Sequence, residues 1–192
     1  MEYLFMQPPF EIKPFVSMSK KEAEVHFDWY VKEIPSRLDL LEKTHREMSN
    51  EDNIVLDYSP ESLIKLWQWY INNVEIEEKS DVLRKLEIEQ YPEWVRINLS
   101  SQKISTGWMA VAMDIAIYFS EFFIKEHGTI KWGIISKPKS LAYINKPVLV
   151  GFKGGLALDS TNLVRVLTSK LIDGDKDDNS LLKAYRTWSG KV

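Results

Sequence analysis

The stretch GWMAVAMDIAIYFSEFF, from Gly107 to Phe123, carries only two charged residues, Asp114 and Glu121. A helix this apolar must be covered on most sides in water, so the rest of the chain has to be organised around it. The pattern predicts a helix that starts near Ser100 or Ser101 and stops at His127, with Gly128 free to turn left-handed at the C-terminus. Asp114 interrupts the apolar run well short of the roughly 20 residues that span a bilayer. The helix therefore reads as the core of a soluble fold.

Elements on both sides supply the cover. Residues 1–18 hold Tyr3, Leu4, Phe5, Phe10, Ile12 and Phe15 among three prolines, which predicts an extended segment docked by its aromatics. Ser19 and Glu22 have capping-box spacing. After them Ala23, Phe27, Tyr30, Val31 and Ile34 share a helical face that Leu38 and Leu41 continue. Pro35 lies inside this pattern and predicts a kink or a break, and the pattern fades by Met48. Ser59, Pro60 and Glu61 start a second helix with the face Leu63, Trp67, Tyr70, Ile71 and Val74. Ile64 and Trp69 fall off that stripe, as expected of a helix covered on more than one side. An acidic stretch follows, and then a short amphipathic helix from about Asp81 to Gln90.

Beyond the central helix, Ile130, Trp132 and Ile134 alternate with polar or small residues, and so do Val148, Val150 and Phe152 after Pro147. These predict two strands. The intervening SKPKSLAYINK is too long for a tight hairpin and has room for a third strand around Leu141 to Ile144. Asp159 or Ser160 can cap a helix bearing Leu163, Val166, Leu167 and Leu171, and the last helix carries Leu181, Leu182, Tyr185 and Trp188. The expected class is α+β: mainly helical, one long buried helix with amphipathic helices on it, and a small antiparallel sheet of two to three strands in the C-terminal half. The 192 residues suit a single domain, in which about 70% of the unfolded surface becomes buried.

Composition narrows the chemistry. With no cysteine there are no disulfides, thiolate metal sites or Cys nucleophiles, and the chain is compatible with a reducing cytosol. A net charge of -3 gives no global attraction to nucleic acid or anionic membrane. The N-terminus, MEYLFMQPPF, lacks the basic and apolar regions of a signal peptide. A cytoplasmic location is the expectation. No GxSxG elbow, HExxH helix, Walker loop or GxGxxG turn occurs, and GFKGG at Gly151 matches none of them. The three histidines, His26, His45 and His127, stand alone and read as surface or capping residues, so no metal and no cofactor are expected. Asp173, Asp175 and Asp177 match the first half of a calcium loop. The pattern then fails, with Asp178 where Gly is required and Ala184 where Glu is required, which leaves an acidic loop that caps the last helix.

Two groups of residues remain as candidate sites. Asp114 and Glu121, seven apart, fall within about 20° of each other on the central helix, with Tyr118 between them. Two carboxylates in an apolar wall can do acid and base work, but the commoner arrangement is a polar stripe paired with Lys, Arg or amides of the N-terminal segment. The second group is basic: six lysines from Lys125 to Lys153 face Glu126 alone, with Trp132, Tyr143 and Phe152 among them. Of these residues Lys131, Lys137, Lys139, Tyr143 and Lys146 form a candidate contact surface, although lysines also guard strand edges against aggregation. With no Arg in the segment, bidentate recognition of phosphate or bases is poorly supported.

Several stretches resemble a family of small, uncharacterised bacterial cytosolic α+β proteins: PPFEIKPF, KKEAEVHFDWYVKEIPSRLDLL, LDYSPESL, and AIYFSEFFIKEHGTIKWG followed by KPVLVGF. The run from YFSEF through the Trp strand to the Pro-led strand is also similar to immunity proteins of bacterial toxin systems, whose usual pattern has Gly where this chain has Ser120. The resemblance implies a compact α+β protein that binds another protein and performs no chemistry. The resulting expectation is a non-enzymatic interaction protein of immunity or antitoxin type, with a protein partner encoded nearby and no membrane. A small-ligand binder or enzyme using Asp114, Tyr118 and Glu121 is the alternative. Nucleic-acid binding through the lysine segment is a weaker one, and the oligomeric state stays open.

Overall fold

A computed structural model describes residues 3–49, 56–96 and 99–192. The class is α+β and mainly helical, built on the long central helix. Helix α1 spans Lys20–Ser49 and α2 Pro60–Asn73, and β1 (Ile76–Glu78), α3 (Asp81–Gln90) and α4 (Glu93–Arg96) follow. Then come β2 (Gln102–Ile104), α5 (Thr106–Glu126), β3 (Lys131–Gly133), β4 (Val148–Val150), α6 (Ser160–Lys170) and α7 (Ser180–Ser189). Helix α5 is the axis: thirteen of its residues are buried, from Trp108 through Phe123. By length and composition alone it could cross a membrane, yet 72% of its most apolar window is buried by the rest of the chain. That burial is what a core helix requires, whereas a lipid-facing helix would leave those side chains bare.

Capping chemistry sets the helix starts. The Ser19 hydroxyl accepts from Glu22 N at 3.3 Å while the Glu22 carboxylate accepts from Ser19 N at 2.8 Å, which closes the capping box of α1. Ser59 caps α2 through Ser62 N, Ser80 caps α3 through Leu83 N, and Asp159 caps α6 through Asn162 N. Helix α1 continues through Pro35, so the expected break is absent. Its buried stripe runs Ala23, His26, Tyr30, Ile34, Leu41 and His45, with Arg37 in the gap. Helix α2 is covered on more than one side, as its off-stripe Trp69 implied: Leu66, Trp67, Trp69 and Tyr70 are all buried.

The central helix begins later than its hydrophobicity suggests. Residues 102–104 form β2, which pairs antiparallel with β1 in the register Ile76 to Ile104, Glu77 to Lys103 and Glu78 to Gln102. The acidic stretch after α2 therefore contains a strand, and its directly opposed Glu77 and Lys103 form a 2.7 Å ion pair. The ladder is extended by Lys79 N to Ser101 O and by Ser105 N to Glu75 O. Gly128 is not left-handed; α5 ends because His127 is extended, with φ -130° and ψ 103°.

Strands β3 and β4 form the expected antiparallel pair in the C-terminal half, with Trp132 opposite Leu149. Residues 141–144 are turns, and no third strand forms there. Leu158 instead bridges to Leu149 on the far side of β4. Gly151 makes the adjoining bend possible: its φ is +109°, and a Cβ there would sit 2.1 Å from Thr129 O. The N-terminal segment docks through Tyr3 and Met18, both buried, and through the half-buried Phe10 and Phe15. Leu4, Phe5 and Ile12, expected to dock as well, are exposed.

Candidate functional site

Asp114 lies fully buried on α5, and its partners come from two separate elements. Arg37 of α1 donates from Nε to Oδ1 at 3.0 Å and from Nη2 to Oδ2 at 2.7 Å, and Tyr3 donates its hydroxyl to Oδ2. Arg37 Nη2 also donates to the carbonyl of Leu4 at 2.9 Å, so one guanidinium fastens both the core carboxylate and the N-terminal segment. Burial pushes the Asp114 carboxyl above the usual carboxylate range, and the Arg37 and Tyr3 hydrogen bonds pull against that rise. The Tyr3 hydroxyl is raised by burial and by the adjacent carboxylate, which keeps it a donor.

Tyr118 and Glu121 do not join this group. The Tyr118 hydroxyl accepts from Tyr58 N at 2.8 Å and lies 2.5 Å from Ser62 Oγ, so it holds the turn that leads into α2. Tyr58, with φ +61°, stacks on the Tyr118 ring at 4.9 Å beneath the ammonium of Lys125. Burial raises the Tyr118 hydroxyl to about 12, which leaves it neutral at ordinary pH. Glu121 accepts from Trp132 Nε1 at 2.7 Å and so fixes β3 against α5. The three side chains share a helix, yet each is committed to a different neighbour. The geometry is that of a polar stripe satisfied by an Arg, a Tyr, a Trp and a backbone amide.

The lysine segment is likewise divided. Lys131, Lys137 and Lys139 are exposed, whereas Tyr143 and Lys146 are half-buried. Lys146 pairs with Asp159 at 3.1 Å. Ser120, the departure from the pattern of the resembling proteins, donates to Ala116 O at 2.8 Å and lies 2.8 Å from Ser160 Oγ, at the point where α6 starts against α5. Within the acidic loop, Asp177 accepts from Asn179 N at 3.1 Å and from Lys183 Nζ at 2.7 Å.

Two features were missed at the level of sequence. First, helix α3 has no buried residue, and Val82, Leu86 and Ile88 are 69%, 57% and 46% exposed. Val82 and Leu86 are one turn apart, with half-buried Leu83 beside them, so an amphipathic helix has its apolar edge in solvent. Its surroundings are acidic: Glu75, Glu77, Glu78, Asp81, Glu87, Glu89 and Glu93 outnumber Lys79, Arg84 and Lys85. The Lys79–Glu87 and Lys103–Glu77 pairs neutralise only part of that charge.

The second is a cavity of about 310 Å³ between the N-terminal segment, α1 and the start of α6. Phe15, Trp29, Tyr30 and Met113 line it, together with His26, Lys146 and Arg165. His26 and His45, expected as surface or capping residues, are instead buried inside α1, in each case against Trp or Tyr rings, while His127 is the C-cap of α5. Burial lowers the His26 imidazole below its ordinary range and takes that of His45 to about 4. Nδ1 of each has no hydrogen-bond partner among the described residues. Among those residues no group of three His, Asp or Glu side chains is placed to hold a metal ion. No family model, curated protein or solved structure matches the chain.

Proposed function

We propose that the protein is a non-enzymatic, cytoplasmic bacterial interaction protein of immunity or antitoxin type, whose partner-binding surface centres on α3. The observation that carries this reading is that α3 holds Val82 and Leu86, one turn apart on one face, in solvent. Interfaces are distinguished by an apolar centre inside a polar rim, and α3 with its acidic surroundings has that composition. The lysine segment offers charge without a comparable apolar centre. By charge complementarity the partner is a protein with apolar side chains set in a basic face. The satisfied hydrogen bonds of Asp114, Tyr118 and Glu121 support a structural role for the stripe that would otherwise suggest an enzyme.

Co-expression with the products of neighbouring genes tests the proposal. The expected result is a stoichiometric complex that survives purification, weakens as salt rises, and is abolished by Leu86→Glu while the melting temperature of the free protein is unchanged. Failure to form any such complex, or a complex indifferent to Leu86→Glu, would overturn it. Light scattering of the protein alone identifies the remaining possibility, a second copy bound at α3.

A further inference from the structure

The cavity beside α6 is amphipathic. His26, only 5% exposed, belongs to its wall, edge-on to Phe15 at 5.0 Å and to Trp29 at 5.4 Å, and its Nδ1 has no hydrogen-bond partner among the described residues. A buried polar group left without a partner is costly, and a hydrogen-bonding group brought in by a ligand offsets that cost. Phe15, Trp29 and Tyr30 give the apolar walls an aromatic part, the kind of lining that holds a ring. The volume is at the lower end of the roughly 300–1,000 Å³ typical of ligand pockets, so the occupant has one ring, or at most two.

Charge in the lining is uneven. Lys146 and Asp159 neutralise one another at 3.1 Å, and Asp159 also caps α6 through Asn162 N at 2.8 Å. Arg165 is exposed, and its Nε and Nη2 donate only to the neutral Asn162 Oδ1, at 3.3 and 2.9 Å. It has no carboxylate partner among the described residues. Among the described residues the planar guanidinium of Arg165 is therefore left uncompensated, and it suits a carboxylate.

We propose that this cavity binds a small hydroxyaromatic monocarboxylate, with its ring among Phe15, Trp29 and Tyr30, its hydroxyl at the His26 imidazole and its carboxylate at Arg165. The site is separate from the α3 surface, so either proposal can fail without the other.

Four ligands of one shape test each contact by calorimetry and thermal shift: 4-hydroxyphenylacetate, phenylacetate without the ring hydroxyl, tyrosol with a neutral alcohol in place of the carboxylate, and tyramine with an amine there. The first should bind most tightly, raise the melting temperature and move the His26 ring resonances. Tyrosol should bind about ten- to a hundredfold more weakly, as expected for loss of a charge-assisted hydrogen bond, and phenylacetate several-fold more weakly. Arg165→Gln, at an exposed position, should bring 4-hydroxyphenylacetate down to the level of tyrosol without altering the fold. Thr161→Phe, also at an exposed position of the lining, should block all four. Absence of binding at millimolar concentration, tyramine binding as well as the acid, or an unchanged Kd in Arg165→Gln would overturn the proposal.

Discussion

Replacing Asp114 with Asn separates a structural carboxylate from a functional one. The substitution keeps the shape of the side chain and removes its charge, so the Arg37 guanidinium, whose side chain is 11% exposed, is left in the core without a counter-ion. Two Arg37 contacts and the Tyr3 hydroxyl converge on this carboxylate, and an amide cannot accept from all of them, because one of its two ends is a donor. Breaking one side of a buried pair costs about 3–5 kcal/mol. For a chain of this size each kcal/mol lowers the melting temperature by roughly 2–4 °C, so Asp114→Asn should lower it by about 6–20 °C.

Calorimetry and urea denaturation at pH 7 measure this directly. The companion variant Arg37→Met/Asp114→Leu, which replaces both charges with apolar groups, should recover most of the loss, because the desolvation cost disappears together with the attraction. Limited proteolysis adds a local readout. With Arg37 no longer held, its bond to the Leu4 carbonyl loosens, and cleavage within residues 4–14 should accelerate. A melting temperature within about 1 °C of the parent, with a normal proteolytic pattern, would refute the structural reading and return Asp114 to the list of functional groups.

Two further perturbations address the backbone and the buried imidazoles. Gly151→Ala places a Cβ 2.1 Å from Thr129 O at a φ of +109° and should lower the melting temperature strongly, whereas Gly128→Ala, with open space around it, should stay within about 0.5 kcal/mol of the parent; equal effects would refute the role given to the bend. His45 titrates near 4 in the fold, against 6.5 in the unfolded chain, so the unfolded state takes up more protons between those values. The stability that depends on neutral His45 is fully present above pH 6.5 and is lost as pH falls toward 4. The urea midpoint should fall over that window, and His45→Phe should flatten the slope; an unchanged slope would contradict the burial.

What the sequence made legible was whatever depended on local chemistry. The Ser19, Ser59 and Asp159 caps, the α2 face and the β3–β4 pair needed only spacing and residue type. No break forms at Pro35 because the long α1 stripe, packed against α5 and α2, outweighs the loss of one hydrogen bond. Strands β1 and β2 are three residues each and are defined by one another across the sequence, so no window of hydrophobicity could reveal them. The start of α5 moved for the same reason. Arg37 had a readable signal: in the stripe Ala23, His26, Tyr30, Ile34, Arg37, Leu41, His45 the polar members fall on the buried face at helical spacing, which marks residues whose partners lie elsewhere in the fold. The cavity left no such trace, since its walls come from residues 6 to 165.

Several buried polar groups of this core tie one segment of chain to another. Asp114 acts through Arg37 on Leu4, Asn145 holds the carbonyls of Phe15 and Met18 at 2.8 and 3.3 Å, Tyr118 holds the amide of Tyr58, and Ser120 meets Ser160. Between Leu4 and Phe15 the N-terminal segment is fastened to the body mainly by side-chain packing, and it carries exposed Phe5 and Ile12. A segment tied at its ends opens at a lower cost than the core unfolds. Met6, Ile12 and Phe15, which wall the cavity on that side, all lie on this segment. The Asp114–Arg37 pair, by holding one end of that segment, therefore also steadies one wall of the cavity.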